Sequence, residues 1–299
     1  MAPPTRAESF RAEPFHAEPL RPKRRFLRPS VIPGFGLAFG YTLTCLGLIV
    51  LLPLAALVTR ASGLGLAGIW EVATDPRVAS ALRVSFGVSL MAALTASVFG
   101  FVIAWVLTRY RFPGRKIVDA VVDLPFALPT AVAGIALAAL YAPNGLVGAQ
   151  LARIGIEAAY TPVGIYIAMV FIGLPFAVRT VQPLIAEIDK EIEEASATLG
   201  AGRVHTLVRV VLPPLIPAVL TGFALAFARG VGEYGSIIFI AGNLPYVSEI
   251  APLLIVIKLS EYDYGGACAI ATLMLGISFL TLLAINLIQA WSRRRFGYV

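Results

Sequence analysis

Long apolar runs alternate with short polar stretches along most of this chain. Six of these runs are close to or above the roughly 20 residues that a helix needs to cross a bilayer. They cover residues 35–59, 83–108, 117–142, 163–183, 215–242 and 266–291. Pro175 and Arg179 interrupt the fourth run. The pattern predicts an all-α integral membrane protein with about six transmembrane helices.

Composition agrees with this fold class. The mean hydropathy is +0.84 and 58% of the residues are hydrophobic, which is typical of integral membrane proteins. Short loops between the spans leave room for one transmembrane domain, predicted over residues 31–299. Residues 1–30 are rich in proline and contain the basic cluster Arg21-Pro22-Lys23-Arg24-Arg25, so we predict a disordered, basic cytoplasmic tail rather than a cleaved signal peptide.

The distribution of lysine and arginine predicts the orientation. Seven of them lie in the first thirty residues, four more (Arg109, Arg111, Arg115, Lys116) follow the second span, and Arg293, Arg294 and Arg295 lie near the C-terminus. Basic residues concentrate on the cytoplasmic side of membrane proteins. We therefore predict cytoplasmic N- and C-termini and a cytoplasmic loop at residues 184–214. This bias accounts for the net charge of +7 without nucleic-acid binding.

The loop at 184–214 is a mostly polar, helix-prone segment inside an otherwise apolar chain. Two short amphipathic patterns lie on either side of Gly200, which we expect to adopt the left-handed conformation that ends a helix. The first pattern comprises Ile188, Ile192, Ala195 and Leu199, and the second comprises Val204, Leu207, Val208, Val211 and Leu212. We expect Pro213 and Pro214 to end the second helix. Exposed apolar helix faces of this kind are typical of surfaces that dock on another protein.

The sequence lacks the common motifs for nucleotide hydrolysis and metal binding. It has no G-x-x-x-x-G-K-[ST] phosphate loop, no His/Cys cluster for a metal and no acid pair beside a nucleophile. We therefore expect no enzyme and no cofactor in this chain. Energy for uphill transport would come from a partner subunit or from an ion gradient, and an ion-coupled secondary transporter is an alternative of a different class.

Charged residues within the predicted spans are costly and need a function or a partner. Asp123 lies in the third span near Pro125 and Pro129, which we expect to kink the helix. Arg179 lies near the cytoplasmic end of the fourth span, where reaching to the interface is the favoured interpretation. Arg229 and Glu233 are four residues apart in the fifth span, so they can form a buried pair, or Arg229 can hold an anion in the pathway. The pair is the favoured interpretation.

The polar loop resembles the cytoplasmic loop of bacterial ABC importer permeases. Their pattern is E-A-A, three residues, G, nine residues, I, one residue, L-P, and Glu194, Ala195, Gly200, Val210, Leu212 and Pro213 are in register with it. Ser196 replaces the last Ala of the pattern and Val210 replaces the Ile. In that family the loop seats in the ATPase subunit, so the resemblance implies the same docking role here.

The resemblance extends over residues 31–290 and is to the sulfate/thiosulfate ABC importer permeases, most of all to their T-type subunits. It rests on the stretches 107–134, 178–183, 232–243 and 261–272. The resemblance implies a multi-pass permease of the bacterial inner membrane that forms half of the anion pathway of a type I importer. It also implies a second homologous permease, two ATPase subunits that bind ATP and Mg, and an external sulfate-binding protein. A molybdate-type permease of the same family is an alternative, because the R-x-x-G-E-Y/F-G element is shared.

Overall fold

The computed structural model describes residues 35–296, with side chains described as far as residue 291, so the predicted tail at 1–30 lies outside it. All regular secondary structure in this range is helical. The helices are α1 (Phe35–Leu46), α2 (Leu52–Ser62), α3 (Gly65–Thr74), α4 (Pro76–Arg109), α5 (Arg115–Val122), α6 (Leu124–Ala127), α7 (Thr130–Tyr141), α8 (Gly148–Arg153), α9 (Pro162–Glu187), α10 (Lys190–Thr198), α11 (Arg203–Thr206), α12 (Leu212–Val231), α13 (Ile237–Ile240), α14 (Ala251–Ser260) and α15 (Tyr264–Phe296). Two π-helical turns cover Gly47–Leu51 and Leu207–Val211.

The chain divides into two units, Met1–Leu51 and Leu52–Val299. In the first unit, α1 buries none of its residues, and the rings of Phe35 and Phe39 stack with their centroids 5.7 Å apart. The second unit contains the remaining helices.

Five helices of the described range are long and apolar enough to span a bilayer. They are Phe35–Ser62, Pro76–Arg109, Pro162–Glu187, Arg203–Val231 and Tyr264–Trp291. These confirm four of the predicted spans over most of their length, and the helix that contains the fourth continues through Pro175. The fifth predicted span, 215–242, starts inside the helix Arg203–Val231 and runs past its end.

The third predicted span, 117–142, is not one helix. It is divided into α5, α6 and α7, and α7 has only 12 residues. Leu128, which precedes Pro129, has the extended dihedrals φ −87° and ψ 133°. A residue before proline is pushed out of the helical region by the proline ring, so the chain breaks here rather than kinking.

The fifth predicted span, 215–242, also ends early, because α12 stops at Val231. The following turn brings Ser236 back to Glu233, whose carboxylate accepts a hydrogen bond from the Ser236 backbone N–H at 2.9 Å. This turn is followed by α13 and then by α14, an apolar ten-residue helix that the sequence did not predict as a separate element. The carboxylate therefore holds a turn where hydropathy alone predicts continuous helix.

The core of the second unit is formed where α4, α9 and α12 cross, and small residues allow the close approach. A Cβ atom added at Gly100 of α4 would lie 2.6 Å from the Cβ of Ala177 on α9. One added at Gly173 of α9 would lie 3.2 Å from the Cβ of Ala226 on α12. Small residues let the backbones of membrane helices pack against each other. These three helices thus form the frame that positions the polar loop and the charged pairs.

Candidate docking segment and intramembrane charges

The polar loop folds as the predicted helix–glycine–helix. Gly200 ends α10 with φ +83°, in the left-handed region that glycine adopts without a Cβ penalty. Its N–H donates to the carbonyl of Ala197 at 3.0 Å, and the N–H of Ala201 donates to the carbonyl of Ser196 at 3.1 Å. These bonds satisfy carbonyl groups that the end of a helix leaves free. The glycine therefore fixes a sharp elbow between α10 and α11.

A side-chain hydrogen bond joins the two arms of the elbow. The hydroxyl groups of Ser196 on α10 and Thr206 on α11 are 2.9 Å apart. Thr206 is 8% exposed, so this contact is largely shielded from solvent. Ser196 is the residue that departs from the E-A-A pattern of the family, and its hydroxyl makes a bond that an alanine could not make.

The prediction that Pro213 and Pro214 end the second helix is wrong. The chain remains helical from Arg203 to Val231. The π-helical turn Leu207–Val211 leads directly into α12, with the prolines in its first turn. Proline lacks an N–H and fits where the ladder of hydrogen bonds is already altered. The polar loop at 184–214, hereafter the candidate docking segment, is consequently continuous with the candidate membrane span Arg203–Val231.

The elbow exposes apolar side chains. Leu199 is 88% exposed and Val204 is 76% exposed. Beside them lies a groove of about 430 Å³, lined by Ser196, Leu199, Gly200, Ala201, Gly202, His205 and Val210. A second groove, of about 960 Å³, is lined by Val210 and by parts of α9, α10 and α12.

The remaining residues of the predicted docking motif lie around this elbow. Glu194 and Ala195 are exposed, and Leu212 and Pro213 are half-buried.

Arg109, at the end of α4, anchors the docking segment. Its Nη2 atom lies 2.8 Å from Oε1 of Glu193 on α10 and donates to the carbonyl of Ile188 at 2.9 Å. The guanidinium also lies 5.5 Å from the ring centroid of Trp105. In the sequence analysis Arg109 contributed only to the predicted orientation. Its partner Glu193 is more than eighty positions away, and no local pattern pairs the two residues.

Arg179 and Asp123 form a pair within a three-residue cluster. Nε of Arg179 donates to Oδ1 of Asp123 at 2.7 Å, and Nη2 donates to Oδ2 at 2.6 Å. Nη1 donates to Asp119 at 2.7 Å, so the guanidinium on α9 holds both α5 and the α5–α6 junction. The interfacial position of Arg179 stays a prediction, and the structure adds these partners to it.

Arg229 and Glu233 are in contact, as the sequence favoured, although Glu233 lies beyond the end of the helix. Nη1 of Arg229 pairs with Oε2 of Glu233. The other carboxylate oxygen, Oε1, accepts from the backbone N–H of Ser236 at 2.9 Å and from its hydroxyl at 3.1 Å. Glu233 is 2% exposed and the Arg229 side chain is 35% exposed. A buried carboxylate with both oxygens bonded is compatible with an apolar surrounding.

A further arginine–glutamate pair was not predicted from the sequence. Arg77, at the start of α4, donates from Nε to Oε2 of Glu249 at 2.8 Å and from Nη2 to Oε1 at 2.7 Å. Glu249 is 1% exposed and Arg77 is 33% exposed. The pair fixes the segment before α14 against α4, and its sequence separation of 172 residues leaves no local signal.

The five candidate membrane spans define a class, the multi-pass integral membrane protein. Residues 96–298 match the family model of the binding-protein-dependent transport system inner membrane component. The chain belongs to this family and is a transport component of the inner membrane.

Close relatives extend over nearly the whole chain. It is 49% identical to the sulfate transport system permease protein CysT of Salmonella typhimurium, over 90% of this chain and 97% of that one. It is 48% identical to the protein of the same name from Synechocystis, over 91% of this chain and 96% of that one.

Solved structures show the same fold at low identity. A bacterial ABC transporter involved in the import of the acidic polysaccharide alginate contains a chain that matches with a TM-score of 0.71 and 16% identity, over 88% of this chain and 96% of that one. The alginate transporter in complex with its alginate-bound periplasmic protein matches with a TM-score of 0.69 and 19% identity, over 88% and 94% of the two chains. The match shows that the ABC importer permease fold is present here.

Proposed function

We propose that this chain is a permease subunit of an ATP-driven sulfate importer and forms half of the anion pathway. The observation that carries the proposal is the identity of 49% over 90% of the chain to a sulfate transport permease. Thiosulfate, also a divalent tetrahedral oxyanion, belongs to the same proposed substrate class.

The docking segment supports an ATPase partner. Leu199 and Val204 present apolar surface beside the groove at Gly200, on the side predicted to be cytoplasmic. Apolar helix faces in water are stabilised when they enter a groove of another protein. We infer that Glu194, Ala195, Gly200, Val210, Leu212 and Pro213 belong to the segment that seats in an ATPase subunit. ATP and Mg would be bound by that partner.

The proposed assembly contains this chain, a second homologous permease, two ATPase subunits and an external sulfate-binding protein. The family to which the chain belongs takes its description from binding-protein dependence. The solved alginate transporter was captured with its periplasmic protein bound. These two observations support an external binding protein for the present chain. The two-plus-two composition rests on the family resemblance.

The deciding experiment is uptake of radiolabelled sulfate by a strain that lacks its own sulfate permease of this type and expresses this chain with its partner subunits. We expect uptake to be restored, with unlabelled sulfate and thiosulfate competing better than molybdate. Restoration of molybdate uptake without sulfate uptake would instead identify a molybdate-type permease.

Reconstitution distinguishes the importer from a gradient-driven transporter. The chain alone in liposomes should neither hydrolyse ATP nor accumulate sulfate under a proton or sodium gradient. With the complete set of partners it should accumulate sulfate, and loaded binding protein should raise the ATPase rate, since it can do so only by binding one conformation better than another. Gradient-driven accumulation by the chain alone would contradict the proposal.

A further inference from the structure

Two arginine–glutamate pairs have nearly the same burial but use the guanidinium differently. The carboxylates of Glu249 and Glu233 are 1% and 2% exposed, and the arginines Arg77 and Arg229 are 33% and 35% exposed. Arg77 gives both donors of its Nε–Nη2 edge to Glu249. For Arg229 and Glu233 the nearest atoms are Nη1 and Oε2, and the Nε–Nη2 edge donates no hydrogen bond to Glu233.

The Nε–Nη2 edge of Arg229 is therefore open, since no partner for it lies among the side chains described up to residue 291. Glu233 cannot take up that edge, because its second oxygen is already occupied by the backbone and hydroxyl of Ser236. The guanidinium is held at one nitrogen while its two-donor fork remains available. A fork of this geometry matches two oxygens of a carboxylate, phosphate or similar oxyanion.

Arg229 lies at the border between the covered and the uncovered face of α12. Leu225 and Gly232, four residues before and three residues after Arg229, are exposed, whereas Gly222 and Ala226, seven and three residues before it, are buried. Towards the docking segment, Pro214, Pro217 and Thr221 continue the same three- and four-residue spacing and line the groove of about 960 Å³. Thr221 and Arg229 are eight residues apart, or about 12 Å along the helix axis. The uncovered side of α12 thus runs from the larger groove to Leu225, one helical turn before Arg229.

From this geometry we infer that Arg229 contacts the transported oxyanion through its Nε–Nη2 edge, and that Glu233 and Ser236 are positioning residues that hold the guanidinium with this edge open. The inference rests on the proposed function and identifies a residue of its pathway. Glu233 also limits the attraction, because the arginine–glutamate pair is neutral as a whole. Conduction requires sites that bind strongly enough for entry and weakly enough for release.

The test measures sulfate transported per ATP hydrolysed by the complete importer in proteoliposomes, with loaded binding protein. We expect Arg229→Lys, which keeps the charge and loses the planar fork, to lower this ratio at least tenfold while the binding protein still stimulates the ATPase. Glu233→Gln should lower the ratio less, because the guanidinium is retained but no longer held. A ratio equal to that of the wild type in both variants would overturn the inference.

The double variant Arg229→Met, Glu233→Leu separates transport from structure. Removing both charges leaves neither of them buried without a partner, so we expect the complex to assemble in the membrane. We expect the ratio of sulfate transported to ATP hydrolysed to stay at least tenfold below that of the wild type. The matched control is Arg77→Met with Glu249→Leu, which removes a pair of equal burial whose fork is closed and should leave the ratio unchanged. Recovery of transport by the first double variant, or failure of every Arg229 variant to assemble, would assign Arg229 to the structure alone and overturn the inference. Absence of sulfate transport by the wild type would contradict the proposed function instead.

Discussion

Arg109 on α4 and Glu193 on α10 form an ion pair of 2.8 Å that fastens the docking segment to a candidate membrane span. The same guanidinium donates to the carbonyl of Ile188, just before α10, at 2.9 Å. Arg109 is 9% exposed and Glu193 is 27% exposed, so solvent screens the contact only in part. This contact therefore binds the candidate docking segment to α4, in addition to its chain connections to α9 and α12.

Replacing Arg109 with alanine should detach α10 from α4. We expect a loss of about 1–3 kcal/mol, the usual range for hydrogen bonds to charged groups and for the buried partners left without them. The chain should still insert, while the amount of ATPase subunit retained in a detergent pull-down falls. Arg111→Ala, at an exposed basic position two residues further on, is the control and should retain the partner. Equal retention by both variants would exclude the anchoring role.

Gly200→Ala should disturb docking through the backbone alone. The φ of +83° costs a residue with a Cβ about 1–2 kcal/mol. Gly202→Ala is a matched control, because an added Cβ has nothing within 4 Å at either position and Gly202 has an ordinary φ of −70°. We expect retention of the ATPase subunit to fall in the first variant and to be unchanged in the second. Identical retention would show that the left-handed turn is not needed for docking.

Arg179→Met should lower the amount of protein in the membrane several-fold, since a change of about 1–2 kcal/mol has this effect on abundance. The reason is that Asp119 and Asp123, 2.7 and 2.6 Å from the guanidinium, would face each other without a cation. Adding Asp119→Asn and Asp123→Asn should recover most of the abundance, measured by immunoblot of membrane fractions. Full abundance of the single variant would mean that the cluster does not hold α5 and α6 on α9.

Gly100→Ala should destabilise the crossing of α4 and α9. The new Cβ would lie 2.6 Å from the Cβ of Ala177, and overpacking of this kind costs about 1–3 kcal/mol. Gly87→Ala in the same helix meets nothing within 4 Å and should be neutral or slightly stabilising. Thermal unfolding of the purified protein in detergent should show a lower midpoint for the first variant only. Equal midpoints would contradict the close packing at Gly100.

The sequence predicted the features that depend on residues close together along the chain. Long apolar runs specify helices that can span a bilayer, because a helix satisfies its own backbone hydrogen bonds without neighbours. Gly200 predicted the elbow, since only glycine adopts a positive φ without steric cost. The spacing of Arg229 and Glu233 predicted their pairing, although the helix ends between them.

Tertiary structure decided what depends on residues distant in sequence. The helix of the fifth span stops at Val231, and the carboxylate of Glu233 stabilises the following turn by a hydrogen bond. A hydropathy pattern does not predict such a hydrogen bond. Two ion pairs join elements that are distant in sequence, Arg77 with Glu249 and Arg109 with Glu193. A single sequence does not show which helices become neighbours. Local sequence pattern therefore determined the all-α membrane fold class and the helix–glycine–helix elbow. The crossing of α4, α9 and α12 determined which charges meet and which guanidinium edge remains open, because only packing brings such groups within hydrogen-bonding distance.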